Sequence, residues 1–182
     1  MLIALSGKRQ RGKTTAADYL VRHHKFVKVS FAEALKEDAR NLFEFEDEHL
    51  YGALKDKKFK DYEWTPREFL IRYGQFLRYF DADYWVKNLL KLLDLDDPKR
   101  KYVCDDLRFV NEAQILKKAG AKLIRINRYD KDLDIKYDAN IDNDISETAL
   151  DDYKEWDAVI ESFQNTTKPV LYKTLEGLVK VL

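Results

Sequence analysis

Three groups of residues in this chain have the types and spacing to handle phosphate. The first is Gly7-Lys8-Arg9-Gln10-Arg11-Gly12-Lys13-Thr14, which fits the pattern G-x-x-x-x-G-K-[ST]. Its glycines let backbone N–H groups turn inward around phosphate oxygens, and a helix N-terminus just beyond points at the same anion. In such a loop Lys13 reaches the β- and γ-phosphates and Thr14 offers its hydroxyl to Mg²⁺. The second group is Asp105-Asp106, at the end of the apolar run Lys101-Tyr102-Val103-Cys104, with Arg108 two residues on. One of these carboxylates should face the Mg²⁺ shell, and Arg108 should emerge at the same edge; the alternative is an aspartate–arginine pair with a purely structural role. The third group is Arg67 and Arg78, which helical spacing puts on one face with Ile71 and Gly74. Their Cα atoms would be about 16 Å apart at helical rise, too far to grip one phosphate alike but suited to opposite ends of a nucleotide. A solvated basic face is the plain alternative, and Gly74 either leaves room for a ligand or breaks the helix.

A phosphate loop functions only when a buried strand enters it and a helix leaves it. Met1 to Leu5 is an almost wholly apolar run, as a parallel strand covered on both faces requires, and Thr15 to Val21 reads as a helix start. Phe26 to Phe31 alternates and is rich in β-branched and aromatic residues, which predicts a second strand, followed by a helix over Glu33 to Phe45. His23-His24 reads as a solvated helix end, since no third metal ligand accompanies it. Thr65-Pro66-Arg67-Glu68 is a helix-start signature, with proline at the first helical position and glutamate placed for a capping box. Asp81 to Asp83 cap the next helix, whose Trp85 is either core or a base-stacking surface.

The strand at Lys101–Cys104 is third. Asn111 and Gln114 are expected to cap a helix ending near Lys118 with Gly120 as its stop, before a fourth strand over Lys122 to Asn127. Asn127-Arg128-Tyr129-Asp130 imitates the guanine-reading motif of switch GTPases, but such proteins also need D-x-x-G after the third strand, and Arg108 stands where that glycine belongs. Ser146-Glu147 opens a short helix, Trp156 to Ile160 reads as a fifth strand, and Leu175, Leu178, Val179 and Leu182 give an amphipathic last helix. Strands alternating with helices behind such a loop predict a three-layer α/β fold with a mainly parallel five-stranded sheet and helices on both faces.

The chain has 182 residues, one domain's worth of sequence, with 33 Lys plus Arg against 33 Asp plus Glu. With no global charge bias, a partner such as polymeric nucleic acid or an anionic membrane is not expected, and phosphate affinity must be local. The single Cys104 excludes an internal disulfide framework and suits a reducing compartment. No apolar run of about 18 residues offers a membrane span, and nothing ahead of the loop is signal-like. A soluble, cytoplasmic protein is the expectation. Glu44 to Asp61 and Tyr129 to Asp144 are polar enough to be excursions from the core.

Several blocks together resemble the deoxynucleoside monophosphate kinase family of tailed bacteriophages, a branch of the P-loop nucleoside monophosphate kinases. They are Leu5 to Leu20; Phe31-Ala32 with Leu35-Lys36; Arg67, Gly74, Arg78 and Asp81 to Val86; Asp106 to Glu112, similar to a D-x-R-F-x-N-E signature; and Ser146-Glu147 with Trp156 to Ile160. The resemblance implies one P-loop kinase domain over residues 1–182 with a substrate-binding insertion at about 37–94. It implies transfer of the ATP γ-phosphoryl to a deoxynucleoside monophosphate, with ATP and that acceptor as partners and a homodimer as one option. Carried over, the loop amides and Lys13 hold ATP, Thr14 or Thr15 and Asp106 organise Mg²⁺, and Arg67, Arg78 and Arg108 serve the acceptor phosphate and the moving group. The chain departs from that family at Thr14, where Asp is common; at Arg11, where Ser is common; and at Asp144-Ile145, where His often precedes the Ser-Glu pair. Residues 37 to 60 and 129 to 143 match poorly. Two rivals share the loop: another small-molecule kinase similar to dephospho-coenzyme A kinase, and a nucleotide-dependent regulatory module without an acceptor.

Overall fold

Five short strands, β1 (Leu2–Ser6), β2 (Val27–Val29), β3 (Tyr102–Cys104), β4 (Lys122–Tyr129) and β5 (Ala158–Phe163), form one sheet in the order β2-β3-β1-β4-β5, parallel throughout. The computed structural model describes residues 1–129, 144–163 and 168–181. The expectations placed on 130–143, which include Asp130, and on Leu182 lie outside the described residues. β1 is buried at every position, as a central parallel strand must be. Ile3 and Leu5 of β1 and Ile124 and Ile126 of β4 pack on Ala16, Ala17 and Leu20 of α1 (Lys13–His24) and Leu175 of α8 (Lys168–Val181). Leu2 and Ala4, on the opposite face, are equally buried, and α6 (Val110–Lys118) lies against β4 with Ala113 and Leu116 inside.

The strand order places the site. β1 leads through α1 to β2, past its neighbour β3, while β3 leads through α6 to β4 on the other side of β1. Adjacent strands whose connections depart in opposite directions leave a crevice at their carboxyl ends, where ligands bind in open α/β sheets. Gly7 follows one of these ends and Asp105 the other.

Several local expectations are corrected. The second strand stops at Val29, because Ser30 leaves the sheet to cap α2 (Phe31–Phe43), its Oγ accepting from Glu33 N at 3.0 Å. α6 is held at its start not by Asn111 or Gln114 but by Glu112, buried to 1% exposure, which accepts from the N–H groups of Arg108 and Phe109 at 3.2 and 3.1 Å. β5 begins at Ala158 rather than Trp156, after Asp157 has docked on Leu123 through its backbone N–H and its carboxylate, each at 2.9 Å. Gly120, with φ of 83°, ends α6 as expected. Among the described residues no helix is long and apolar enough to cross a membrane.

The chain divides into two compact units, Met1–Val29 with Leu93–Leu182, and Ser30–Leu92. The first holds the sheet. The second contains α2, α3 (Asp47–Leu50), α4 (Pro66–Phe80) and α5 (Tyr84–Leu92) and has a core of its own, formed by Ala39, Phe45, Leu50, Phe59 and Leu70 with Trp64 and Phe69 against it. The polar look of 44–61 therefore conceals three anchors, Phe45, Leu50 and Phe59. α4 starts as its capping box dictates, Thr65 Oγ1 accepting from Glu68 N at 3.2 Å and Glu68 Oε2 from Thr65 N at 2.8 Å. Gly74 neither breaks α4 nor leaves room for a ligand. A β-carbon there would meet Leu35 Cδ2 at 3.3 Å, and its carbonyl accepts from Trp85 Nε1 at 3.2 Å. Trp85, 1% exposed, is core.

Candidate active site

The loop between β1 and α1 is shaped by backbone torsions that favour glycine. Gly12, with φ of 99°, is the N-cap of α1, and Gln10 also has a positive φ of 59°. α2 and α4 have side-chain oxygens on their first amides, whereas α1 has neither a side-chain cap nor an acidic residue in its first turn. Its leading N–H groups and positive dipole end thus suit an external anion. Gly7 has φ of 155° and lies so close to β4 that an added Cβ would stand 2.5 Å from the Ile126 carbonyl oxygen. Gly7→Ala should therefore lower stability by roughly 1–3 kcal/mol and weaken ATP binding, read by thermal unfolding and titration with a fluorescent ATP analogue.

Lys13, 9% exposed, donates from Nζ to the carbonyls of Gly7 at 2.6 Å and Lys8 at 2.9 Å. Its pKa is lowered from 10.5 to about 8, by burial first and then by the Arg108 and Arg125 charges, with Glu147 and Asp105 opposing them. Of its loop neighbours, Lys8 pairs with Asp151 at 3.0 Å, the Arg11 guanidinium donates to the Arg128 carbonyl at the far end of β4, and the Arg9 N–H donates to Glu147 Oε2 at 2.7 Å. Thr14 is exposed and Thr15 half-buried.

Beyond β3 the two aspartates have different surroundings. Asp105 pairs with Lys28 Nζ at 2.7 Å, and its charge reaches Lys13; Asp106 accepts from Cys104 Sγ at 3.1 Å. Burial, followed by the Asp106 charge, pushes the Cys104 thiol well up and keeps it protonated. Arg108 donates from Nη1 to Glu147 Oε1 and, at 3.4 Å, to the Ser146 carbonyl. Lys13, Asp105, Asp106 and Arg108 are therefore gathered at one sheet edge.

Arg67 and Arg78 belong to the other unit, on α4. The Arg67 guanidinium is paired with Asp56, Nη2 to Oδ2 at 3.1 Å, and Arg78 is half-buried.

Sequence reasoning assigned no role to Glu147, Arg125 or Asp151. Glu147 lies on the four-residue helix α7 (Ile145–Thr148), whose cap is Asp144, accepting from Ser146 N at 2.8 Å. Arg125, 9% exposed, is satisfied by Ser6 Oγ at 3.2 Å, Asn127 Oδ1 at 3.2 Å and Asp151 Oδ1 at 2.9 Å. A lone cation inside the apolar run Leu123 to Ile126 was the available signal. Along the outer rim of the loop a cleft of about 550 Å³ is lined by Lys8, Arg11, Arg125, Arg128, Tyr129 and Trp156 among others.

No family model matches the chain. A protein of Acanthamoeba polyphaga mimivirus named "Putative deoxynucleotide monophosphate kinase" is 34% identical over 149 residues, which cover 70% of this chain and 74% of the relative. The solved dephospho-CoA kinase of Campylobacter jejuni superposes with a TM-score of 0.51 at 17% identity over 98% of this chain and 95% of its own, a likeness of fold alone. The phosphate loop, the cations around it and the viral relative agree: the chain belongs to that relative's kinase family and is an ATP-dependent phosphotransferase with a P-loop α/β fold.

Proposed function

We propose that the protein transfers the γ-phosphoryl of ATP to a deoxynucleoside monophosphate, giving the diphosphate and ADP. The observation that carries the phosphotransfer is the second cation, Arg108, held beside Lys13 at the end of β3. A loop that only binds ATP needs the lysine; a transferring group also needs its developing charge neutralised and its acceptor oriented. The acceptor phosphate is already ionised, so no general base is required. The choice of deoxynucleoside monophosphate is supported by the name of the viral relative.

In this reading the backbone of Gly7, Lys8, Arg9, Gln10, Arg11 and Gly12 and the start of α1, with Lys13, Thr14 and Thr15, hold the triphosphate. The cleft at the loop rim is of a size for a nucleotide-sized ligand. Arg67 and Arg78 serve the acceptor phosphate, for which Arg67 would exchange its exposed partner Asp56, a contact solvent makes cheap to give up. Mg²⁺, when bound, would supply charge neutralisation for the triphosphate. The described residues hold no cluster of three or more His, Cys, Asp or Glu that could form a protein cage. The donor set present, the Thr14 hydroxyl and the Asp106 carboxylate with Asp105 beside it, suits an ion that keeps its waters and takes one or two protein oxygens plus phosphate.

A coupled assay with ATP, Mg²⁺ and each of the four deoxynucleoside monophosphates, their ribose counterparts, dephospho-coenzyme A and no acceptor tests the assignment. ADP release that depends on a deoxynucleoside monophosphate is expected. Turnover of dephospho-coenzyme A alone, or ATP loss indifferent to every acceptor, would overturn it.

The depressed Lys13 adds a pH signature. Facing Arg108, Arg125, Glu147 and Asp105, it loses its charge in the free enzyme as pH rises through about 8. kcat/KM for ATP should fall above that pH, whereas kcat, set by the complex in which phosphate charge favours the ammonium, should hold to higher pH. Parallel pH–rate profiles of the two parameters check this.

A further inference from the structure

We propose that Glu147 is a positioning residue that fixes Arg108 against the phosphate loop, a role that rests on the phosphoryl-transfer reading above. Its carboxylate is 6% exposed, and its two oxygens have different partners: Oε1 accepts from the Arg108 guanidinium, and Oε2 accepts from the Arg9 N–H at 2.7 Å. One buried anion thus connects a side chain after β3 to the backbone of the loop after β1. Neither partner could set this geometry alone. The Arg108 side chain is 35% exposed and hangs from a long flexible stem, and the Arg9 amide lies in a turn whose next residue has φ of 59°. Removing one oxygen's acceptor capacity releases one of the two.

The scaffold behind Glu147 is built for this duty. α7 has only four residues, and its first turn is fixed by Asp144 accepting from Ser146 N, while Arg108 Nη1 also reaches the Ser146 carbonyl at 3.4 Å. A carboxylate beside a triphosphate site is otherwise a liability, because its charge repels the ligand. Its burial at the edge of the loop is explained if the geometry it imposes is worth more to turnover than the repulsion costs in binding.

Two predictions separate positioning from simple structural support. Glu147→Gln keeps the shape but can accept from only one partner and carries no charge. It should lower kcat on the order of 10²-fold, the scale of a misplaced reacting group, while affinity for a fluorescent ATP analogue stays within about twofold or improves. The same substitution in an Arg108→Ala background, followed by single-turnover assay with radiolabelled ATP and enzyme in excess, should change the residual rate less than about twofold, because the effect runs through Arg108. Wild-type kcat in Glu147→Gln, an equal loss in both backgrounds, or a variant that no longer binds the analogue would each overturn the role. If the wild type phosphorylates a different acceptor, the cycle is run on that acceptor, so the substrate assignment and the role of Glu147 fail separately.

Discussion

Lys13→Met is expected to cut kcat/KM for ATP on the order of 10²- to 10³-fold, the range seen when one preorganised donor to a developing charge is removed. The stability of the same variant should not fall. Lys13 is nearly fully buried, burial and two neighbouring guanidinium groups oppose its charge, and its Nζ donates to the loop carbonyls of Gly7 and Lys8. A methionine of similar length removes that cost without opening a large void. The sign follows from linkage. The unfolded chain keeps this lysine protonated up to about 10.5 and the folded chain only to about 8, so the folded state is penalised fully below pH 8, and the penalty fades as pH rises toward 10.5. The variant should therefore gain thermal stability at pH 7 and lose that advantage near pH 10. Reduced activity accompanied by a lower Tm at pH 7 would mean that the lysine braces the loop rather than serving phosphate. A residue that costs stability and supplies activity is what a functional site selects.

The parts of the fold that could be read from residues were those with a local physical signature. β1 is apolar because both its faces are covered, and α4 starts at Pro66 because Thr65 and Glu68 cap it reciprocally. The loop announced itself because glycines at 7 and 12 meet backbone demands that other residues meet poorly. Boundaries failed where a side chain had two plausible employments: Ser30 could extend a strand or cap a helix, and only the amide of Glu33 decides. Gly74 illustrates a different limit, since the room beside a helical glycine goes to whatever packs there, and Leu35 is distant in sequence. Glu147 was legible as one of a resembling pair but not as a bridge. Its two partners, Arg9 and Arg108, are 138 and 39 residues away, and only the parallel order of β3, β1 and β4 brings those loops together. The viral relative shows the kind of chemistry, whereas no spacing in the sequence encodes the acceptor as directly as the loop encodes phosphate.

Arg108→Ala is expected to have the largest effect on the chemical step, about 10³- to 10⁵-fold in kcat, if its guanidinium neutralises charge that appears only as the phosphoryl group moves. Binding of an ATP analogue should survive, because the loop amides and Lys13 remain; relief of the cationic pressure on Lys13 could even favour its charged form. Stability should fall measurably as well, because the buried Glu147 carboxylate loses its charged partner even though the Arg108 side chain keeps 35% of its own surface in solvent. Two comparisons separate a cation acting at the transition state from one that merely holds the structure. Arg108→Lys keeps the charge but not the planar fork, and should recover only part of the rate. Free guanidinium added at concentrations well below denaturing should raise the rate of Arg108→Ala and leave wild type unchanged. If instead Arg108→Ala retains near-wild-type kcat, or loses ATP binding in proportion to turnover, Arg108 is a structural partner of Glu147 and the phosphoryl-transfer assignment loses its main support.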